Sequence, residues 1–263
     1  MALISLIIPT YNDLFRLQKT LPEVKDWLNR NKEINIKVYI INDGGIQKKD
    51  TKKICDKFNF IFMDKKHSGL MDTIIHGLKN INSDYYLILS SDSPVNIKYL
   101  NVFIKYLDEY DIVQGSRLLK NKNQKTYTRG RPLIRILITK ILSYLNLILY
   151  KIKVQDTQID FKIFNKKIVQ DILPNLKLDH DGMKMTEILI RAYGMGLKIK
   201  EIPVDYNENL ESIQYPSNQI FSFKIMKTIF LALIAYLKLF FLLRKEYKNN
   251  KFIKNPFRIK FLI

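Results

Sequence analysis

The sequence predicts an α/β protein with a mostly parallel central sheet and helices on both faces. Short apolar runs rich in Ile, Val, Tyr and Phe alternate with amphipathic stretches through the first half of the chain. Such strict alternation requires crossover connections, which favour parallel pairing. Hydrophobic residues make up 47% of the 263 positions, enough for a sizeable core. Because ligands of such sheets bind beyond the carboxyl ends of the strands, the residues that follow each strand are candidates for a binding site.

Five apolar runs predict strands, at residues 3–9, 37–43, 60–64, 85–91 and 111–116. Amphipathic patterns between them predict helices over residues 14–31, 48–58, 69–81 and 97–110. We assign residues 1–215 to one domain, which includes an amphipathic stretch at 131–153. Residues 216–263 form an apolar and basic C-terminal segment.

Charge and cysteine content narrow the partners and the location. The net charge of +19 attracts anionic partners. Residues 244–260 hold seven Lys or Arg against one Glu and directly follow the most apolar segment, which favours a membrane surface with anionic lipids over nucleic acid. A general lysine bias in the composition is the alternative source of the charge. The single cysteine, Cys55, and the missing basic leader predict a cytoplasmic setting without a signal peptide.

Polar side chains follow four of the predicted strands. The loops are Pro9-Thr10-Tyr11-Asn12-Asp13, Asn42-Asp43-Gly44-Gly45, Ser90-Ser91-Asp92 and Gly115-Ser116-Arg117. Three of these loops place a carboxylate on one rim of the sheet, and the fourth places an arginine there. Each loop alone could be a helix cap, since Asp, Asn and Ser are common N-cap residues. Four loops on the same rim favour a binding site.

The motifs resemble a known family in sequence and order. They are SLIIPTYND, VYIINDGG, GLMDTIIHGLKNINSDYYLILSSDSP, DIVQGSR, DTQIDFKIF and GMKMTEILIRAYGMGLKIKEIPVDYNE. This order is similar to that of the family 2 inverting glycosyltransferases, particularly the branch of dolichol-phosphate mannose synthases and bacterial polyprenyl-phosphate glycosyltransferases. The resemblance covers roughly residues 3–212. It implies a GT-A fold that binds a UDP- or GDP-hexose.

The resemblance also assigns residues to the donor. Those implied in the nucleotide-sugar pocket are Pro9, Thr10, Tyr11, Asp13, Asp43, Gly69 and Ser91, with Asp13 where a glutamate is usual. Arg117 and Arg135, or Arg131, match positions that meet phosphates, and an arginine fork pairs two phosphate oxygens at once. A solvated helix face is the alternative for Arg131 and Arg135.

A divalent metal, Mg²⁺ or Mn²⁺, is implied as well. It would stabilise the charge that grows on the leaving diphosphate. Asp92 matches the last acid of the family's Asp-x-Asp metal motif, and Ser90 replaces the first. A serine hydroxyl is a weaker ligand, but Mg²⁺-type sites need only one or two carboxylates besides substrate phosphates.

The acceptor side departs further from the pattern. Asp160 occupies the glycine position of Asp-Thr-x-x-Gly-Phe-Lys, and Asn209 replaces a later arginine. Asp181 and Glu187 are the candidates for a general base if the acceptor is a sugar hydroxyl. Glu187 matches an acid near the acceptor in the polyprenyl-phosphate branch. Along with Asp92 and Arg117, these two acids complete the set of expected catalytic residues.

Two segments predict contact with a membrane. In residues 131–153 a polar side opposes an apolar side: Arg131, Arg135, Thr139, Ser143, Asn146 and Lys153 against Ile134, Leu137, Ile141, Leu145, Ile148 and Ile152. A helix packed on the sheet is the alternative. In residues 221–250 the longest nearly apolar run has 16 residues, fewer than the ~20 that a span needs. Its basic stripe, Lys224, Lys227, Lys238 and Lys245, favours a helix in the headgroup plane. Spanning and self-association into a homo-oligomer stay open.

Together these features predict an inverting glycosyltransferase. It would move a hexose from a nucleotide diphosphate sugar to a polyprenyl phosphate at the cytoplasmic face of the membrane. One alternative is transfer to a sugar hydroxyl in a cell-surface polysaccharide or glycolipid. Another is a non-catalytic protein that binds a nucleotide-sugar and scaffolds a membrane assembly.

Overall fold

The computed structural model describes residues 2–119, 127–130, 133–179, 181–207 and 223–248. Within these ranges lie a seven-stranded sheet of order β3-β2-β1-β4-β7-β5-β8 and a two-stranded sheet, β6-β9. The strands are β1 (Ile4–Thr10), β2 (Ile36–Asn42), β3 (Ile61–Asp64), β4 (Tyr85–Ile88), β5 (Ile112–Ser116), β6 (Thr128–Arg129), β7 (Lys162–Asn165), β8 (Ile199–Pro203) and β9 (Tyr206–Asn207). The helices are α1 (Leu14–Arg30), α2 (Lys48–Phe58), α3 (Leu70–Asn80), α4 (Leu100–Phe103), α5 (Leu133–Tyr150), α6 (Asp181–Gly194) and α7 (Phe223–Lys248).

The predicted α/β architecture is confirmed, and its parallel parts are β3-β2-β1-β4 and β5-β8. Every residue of β1 is buried, because this central strand has a neighbour on each side and helices over both faces. Side chains alternate across the sheet. Leu6 and Ile8 enter the core with Leu17 of α1, whereas Ile7 packs with Ile74 of α3 on the other face.

The apolar pattern does not predict β6, β7, β8 or β9, and of these four β7 lies inside the large sheet between two predicted strands. It is four residues long and begins with a lysine, so it lacks the apolar run that marks the other central strands. It lies antiparallel between β4 and β5. The Lys162 side chain is fully buried, and its ammonium group donates to the Gln114 side chain over 2.8 Å.

Three of the predicted helices form as expected, as α1, α2 and α3. The fourth, over residues 97–110, is broken into a 3₁₀ turn (Ile97–Tyr99), the short helix α4 and a second 3₁₀ turn (Ile104–Tyr106). Its buried side chains still lie on the face that covers the sheet. The core interaction is therefore kept while the helical hydrogen bonding changes.

Helices α5 and α7 contact each other beside the sheet. The Tyr150 hydroxyl of α5 donates to the backbone oxygen of Tyr236 over 2.7 Å, and the Tyr236 hydroxyl donates to the Asn146 side chain. Arg191 of α6 forms an ion pair with Glu246 of α7. No helix within the described ranges combines the length and apolar character needed to cross a bilayer. The basic tail after residue 248 lies outside the described residues. So does Asn209, which is predicted to replace an arginine of the family pattern.

Candidate active site

The carboxyl ends of β1, β2 and β4 meet at one edge of the sheet and border an open cleft of about 250 Å³. Its described lining residues are Pro9, Thr10, Tyr11, Asp13, Arg16, Asp43, His67, Gly69, Leu70, Thr73, Ser90, Ser91, Asp92 and Asp160. Seven of the nine residues expected to bind the nucleotide-sugar are among them, all except Arg117 and Arg135, and so are both expected metal residues. The parallel strands bring these side chains together from positions up to 83 residues apart in the sequence.

The loop after β1 is shaped by a close contact with the loop after β2. Asn12 has a positive φ of 48°, and its side chain lies where residue 45 would carry a Cβ, 2.3 Å from the Oδ1 atom. Gly45 also has a φ of 93°, so a side chain there would be both strained and obstructed. The Asn12 oxygen accepts a hydrogen bond from the backbone of Gln47. This contact holds the two loops together at the mouth of the cleft.

Asp43 organises the loop that follows β3. Its carboxylate accepts hydrogen bonds from the backbone N–H groups of Ser68 (3.0 Å) and Gly69 (2.9 Å) and from the Lys65 ammonium group (2.5 Å). Burial alone would raise the pKa of Asp43, but these donors outweigh burial and hold the pKa below its usual value. Gly69 has a φ of 104°, which lets its N–H face the carboxylate. Asp43 thus shapes the cleft wall at the start of α3.

His67 is a cleft residue that the sequence analysis does not identify. Its ring stacks on Tyr11, with ring centroids 4.3 Å apart, and its Nδ1 atom lies 2.8 Å from an Asp43 oxygen. The stacked pair forms a flat wall suited to a planar ring. The signal that could have found His67 is its position after β3, on the rim where the other polar loops lie. The absence of metal-ligand spacing between histidines does not argue against such a role.

Acidic side chains form another part of the cleft wall. The Ser91 hydroxyl donates to Asp13, and the Ser90 hydroxyl donates to Asp160 over 2.7 Å. Arg16 lies 3.2 Å from Asp13 and partly balances the charge. Burial, together with the charges of Asp160 and Asp13, raises the pKa of Asp92 to about 6, although Arg16 opposes the rise. The wall therefore concentrates carboxylates that a bound cation would stabilise.

Arg117 pairs with Asp156, which is not among the described lining residues of the cleft. Its guanidinium donates two hydrogen bonds to Asp156, each 2.7 Å long, and its side chain is 7% exposed. The ring of Tyr206 lies 4.9 Å from the guanidinium carbon. Burial favours the neutral arginine, but the carboxylate of Asp156 outweighs it and raises the pKa of Arg117. Arg117 is not among the described lining residues, and its contact with phosphate stays a prediction.

Arg135 and Arg131 are the other two arginines predicted to meet phosphates. Arg135 lies in the first turn of α5, where its backbone oxygen accepts a hydrogen bond from Thr139. It is not among the described residues that line the cleft. Arg131 lies outside the described residues. Their predicted roles at phosphates remain predictions.

The two candidate bases lie in structural networks. Asp181 accepts a hydrogen bond from the backbone N–H of Met71 over 2.8 Å, which caps the start of α3. Burial is the main cause that raises the pKa of Asp181. Glu187 is fully buried and accepts bonds from the backbone of Lys177 and Leu178 and from Arg191. Neither acid is among the described lining residues of the cleft.

The network of Glu187 gives a prediction that separates stability from catalysis. We expect Glu187→Gln to lower the free energy of unfolding by about 1–3 kcal/mol, because a neutral amide replaces a carboxylate that satisfies buried donors. The turnover of the folded enzyme should be kept. Urea unfolding and initial rates test both statements, with the exposed Glu109→Gln as the control. A loss of turnover at unchanged stability would support Glu187 as the base instead.

The cleft also contains residues that the motifs do not assign to the donor. Arg16 lies one helical turn after the Asp13 loop, and Leu70 and Thr73 lie in the first turn of α3 after Gly69. The feature of the sequence that could have identified them is their position near the start of a helix that directly follows a rim loop. Asp160 lies just before β7, a strand that the apolar pattern does not predict.

Comparison with known proteins agrees with this geometry. The family model described as glycosyl transferase family 2 matches residues 5–173. A dolichyl-phosphate beta-glucosyltransferase of Trichomonas vaginalis is 28% identical over 221 residues. The match covers 78% of this chain and 66% of that protein. The chain thus spans just under two thirds of the length of this relative.

Solved structures share the fold. Glucosyl-3-phosphoglycerate synthase from Mycobacterium tuberculosis, in complex with Mn²⁺, uridine diphosphate and glucosyl-3-phosphoglycerate, superposes with a TM-score of 0.63 at 12% identity, covering 90% of this chain and 80% of that chain. Mannosyl-3-phosphoglycerate synthase from Rubrobacter xylanophilus gives a TM-score of 0.65 at 9% identity, with coverage of 96% and 77%. With the family model matched over most of the chain, the protein belongs to glycosyl transferase family 2 and is a glycosyltransferase.

Proposed function

We propose that the enzyme moves a hexose from a nucleotide diphosphate sugar to a polyprenyl phosphate at the cytoplasmic face of a membrane, with inversion at the anomeric carbon. The donor-pocket residues meet in one cleft, and the relative from Trichomonas vaginalis is a dolichyl-phosphate glucosyltransferase. The observation that carries the lipid acceptor is the apolar face that α5 exposes, while two of its polar side chains, Thr139 and Asn146, are buried.

The donor fits the two walls of the cleft. The stacked rings of Tyr11 and His67 offer a flat surface for a nucleobase, and the acidic wall lines the same cleft. The donor set at the acidic wall is made of carboxylate and hydroxyl oxygens, the ligands that Mg²⁺ and Mn²⁺ prefer. Within the described ranges no group of three or more His, Cys, Asp or Glu side chains would hold a metal by itself. Phosphate oxygens of the donor would therefore complete the coordination.

Asp92 and Ser90 are the residues that would hold this cation. When bound, it would stabilise the negative charge that develops on the leaving diphosphate. A hydrogen-bonded serine and a carboxylate at the end of β4 are placed by the strand itself. The mycobacterial synthase, whose complex contains Mn²⁺ and uridine diphosphate, supports the same class of ligand here.

The chemistry needs little from the acceptor side of the protein. An oxygen of the lipid phosphate attacks the anomeric carbon, the bond from that carbon to the diphosphate breaks, and the nucleoside diphosphate leaves with the electron pair. The attacking phosphate is already ionised, so no general base is required. This agrees with Asp181 and Glu187 being held in hydrogen-bond networks and with neither being among the described lining residues of the cleft.

The membrane contact is argued from two exposed apolar faces. On α5 the exposed residues are Leu137, Ile141, Tyr144, Leu147 and Ile148, and on α7 they are Phe230, Leu231, Ile234, Leu237 and Phe241. These side chains are between 43% and 63% exposed. In contrast, Thr139 and Asn146 on the polar side of α5 are buried. Two adjacent helices with apolar outer faces and exposed lysines such as Lys238 suit a headgroup layer.

The exposed apolar faces of α5 and α7 give a prediction about binding to lipid vesicles. We expect Ile141→Gln combined with Phe241→Gln to weaken binding to vesicles containing phosphatidylglycerol by at least about tenfold, because each large apolar side chain contributes roughly 1.5–3 kcal/mol when fully buried. Ile61→Gln combined with Val102→Gln, on β3 and α4, is the matched control. Flotation of the full-length chain measures both. Equal binding by the two double variants would exclude this surface as the lipid contact.

The proposed reaction is tested with membranes that contain the protein and with radiolabelled UDP- and GDP-hexoses. A lipid-soluble labelled product that is stable to alkali and labile to acid supports transfer to a polyprenyl phosphate. Label on a glycan hydroxyl would support the first alternative and overturn the lipid phosphate. Intact donor binding without transfer or hydrolysis of any donor would support the scaffold.

A further inference from the structure

We propose that Asp160 supplies the second carboxylate of the divalent-cation site, opposite Asp92 and in place of an acid at position 90. This inference rests on the proposed function, because it assigns a residue to the same donor site. The structure brings together two departures from the family pattern. Ser90 stands where an acid is expected, and Asp160 stands where a glycine is expected.

The sheet explains why these two positions meet. Strands β4 and β7 pair antiparallel, with Tyr86 opposite Phe164 and Ile88 opposite Lys162. Continuing this register by two residues on each chain places Ser90 opposite Asp160, on the same face as the Ile88 and Lys162 pair. Side chains of directly opposed residues are close enough to touch. The Ser90 hydroxyl indeed donates to Asp160 Oδ2 over 2.7 Å.

The consequence is a carboxylate moved from one strand to its partner. A glycine at position 160 would leave a neutral Ser90 and a single acid, Asp92, at this point of the cleft. With Asp160 present, Asp92 and Asp160 provide two carboxylates, and Ser90 a hydroxyl, on the wall that also carries Asp13. One or two carboxylates together with substrate phosphates are the usual protein share of an Mg²⁺-type site. Each substitution weakens the site when taken alone, and the two together restore its charge.

The surroundings favour a ligand at this wall over a closed internal network. Asp160 and Asp13 both act electrostatically on Asp92, so three carboxylates share the wall. Arg16 contacts Asp13 and partly offsets their charge. In addition, Thr10 lines the cleft and is 4% exposed, and its hydroxyl has no hydrogen-bond partner among the described residues. Buried polar groups are nearly always satisfied, so this hydroxyl is available to bond a group bound in the cleft.

A purely structural role for Asp160, in which it only accepts the Ser90 hydrogen bond, predicts a different effect of substitution on cation affinity. Asparagine at position 160 keeps an oxygen that accepts the Ser90 hydrogen bond but removes the charge. If Asp160 only orders Ser90, Asp160→Asn leaves cation affinity unchanged. If Asp160 ligates the cation, the same variant weakens it.

The test measures Mn²⁺ binding to the full-length chain in detergent micelles by the electron paramagnetic resonance signal of free Mn²⁺. UDP and GDP are used in parallel as the nucleotide. We expect Asp160→Asn to weaken Mn²⁺ binding in the presence of the nucleotide by about 10- to 100-fold. Ser90→Asp combined with Asp160→Gly should restore most of the affinity, because the acid returns to the opposite strand. The exposed Asp50→Asn is the matched control.

The outcomes separate this inference from the proposed function. Wild-type affinity in Asp160→Asn, with its fold verified by circular dichroism and thermal unfolding, overturns the role of Asp160 while lipid transfer by the wild type still stands. If Ser90→Asp combined with Asp160→Gly binds Mn²⁺ no more tightly than Asp160→Asn does, the proposed exchange of the acid between the two strands is also overturned. A wild-type chain that binds no Mn²⁺ with either nucleotide overturns the inference, whereas missing lipid product with intact Mn²⁺ binding overturns only the proposed acceptor.

Discussion

Asp92→Asn should lower glycosyl transfer by about 10²- to 10³-fold, since loss of a cation ligand removes several kcal/mol of transition-state stabilisation. The fold should be kept. Asparagine has the shape of aspartate without the charge that Asp13 and Asp160 repel. We therefore expect the free energy of unfolding measured without metal not to fall. Initial rates with labelled donor and urea unfolding measure the two effects.

The Asp92 prediction has a matched control in Asp108→Asn, an exposed aspartate shortly before β5 in the sequence. Its rate and stability should equal those of the wild type. Retained turnover in Asp92→Asn would remove this side chain from the metal site. A fall in stability equal to the fall in activity would show that the variant acts through the fold.

The parallel part of the sheet was predictable because its signals are local. Each of the five predicted strands is an apolar run that ends in polar residues, and β1 shows this most clearly, from Ile4 to the loop at Tyr11. The positions of cleft residues follow from the same rule. Once a strand is central and parallel, its carboxyl end is fixed at one rim, so Asp13, Asp43 and Asp92 had to lie close together.

The antiparallel strand and its consequences were not predictable in this way. Strand β7 has only four residues and begins with Lys162, whose burial depends on Gln114 in another strand. The contact between Ser90 and Asp160 depends on that strand and spans 70 positions of the sequence. A pattern read one segment at a time contains neither the pairing nor its register.

The orientation of α5 shows a third limit. Its sequence predicts an amphipathic helix correctly, but periodicity does not tell which side faces the protein. In a helix packed on the sheet the apolar side would be buried. Asn146 is instead buried, where it accepts a hydrogen bond from Tyr236 of α7, and only part of the apolar side, such as Leu145, packs against the core. The decisive partner is about 90 residues away, in a segment whose own composition suggests a membrane.

The ion pair of Arg117 and Asp156 gives the largest expected effect on stability. Asp156 has no exposed side-chain surface and also accepts a hydrogen bond from the backbone of Arg117 over 3.0 Å. Burial would raise the pKa of Asp156, but Arg117 outweighs burial and lowers it. We expect Arg117→Met to reduce the free energy of unfolding by about 3–5 kcal/mol, because it leaves a buried carboxylate without a counter-charge. Urea unfolding measures the loss.

The combination of Arg117→Met with Asp156→Leu provides the control for that loss. Replacing both members of a buried pair by apolar residues is often close to neutral, so the double variant should recover most of the stability. Asp156 lies four residues before Asp160, and Arg117 directly follows β5, so the pair ties the segment that carries Asp160 to the sheet. If the double variant recovers both its stability and its Mn²⁺ binding, the role of Arg117 is to hold the segment that carries Asp160 on the sheet. An Arg117→Met variant with wild-type stability and a raised KM for the donor would contradict it and place the guanidinium at the phosphates.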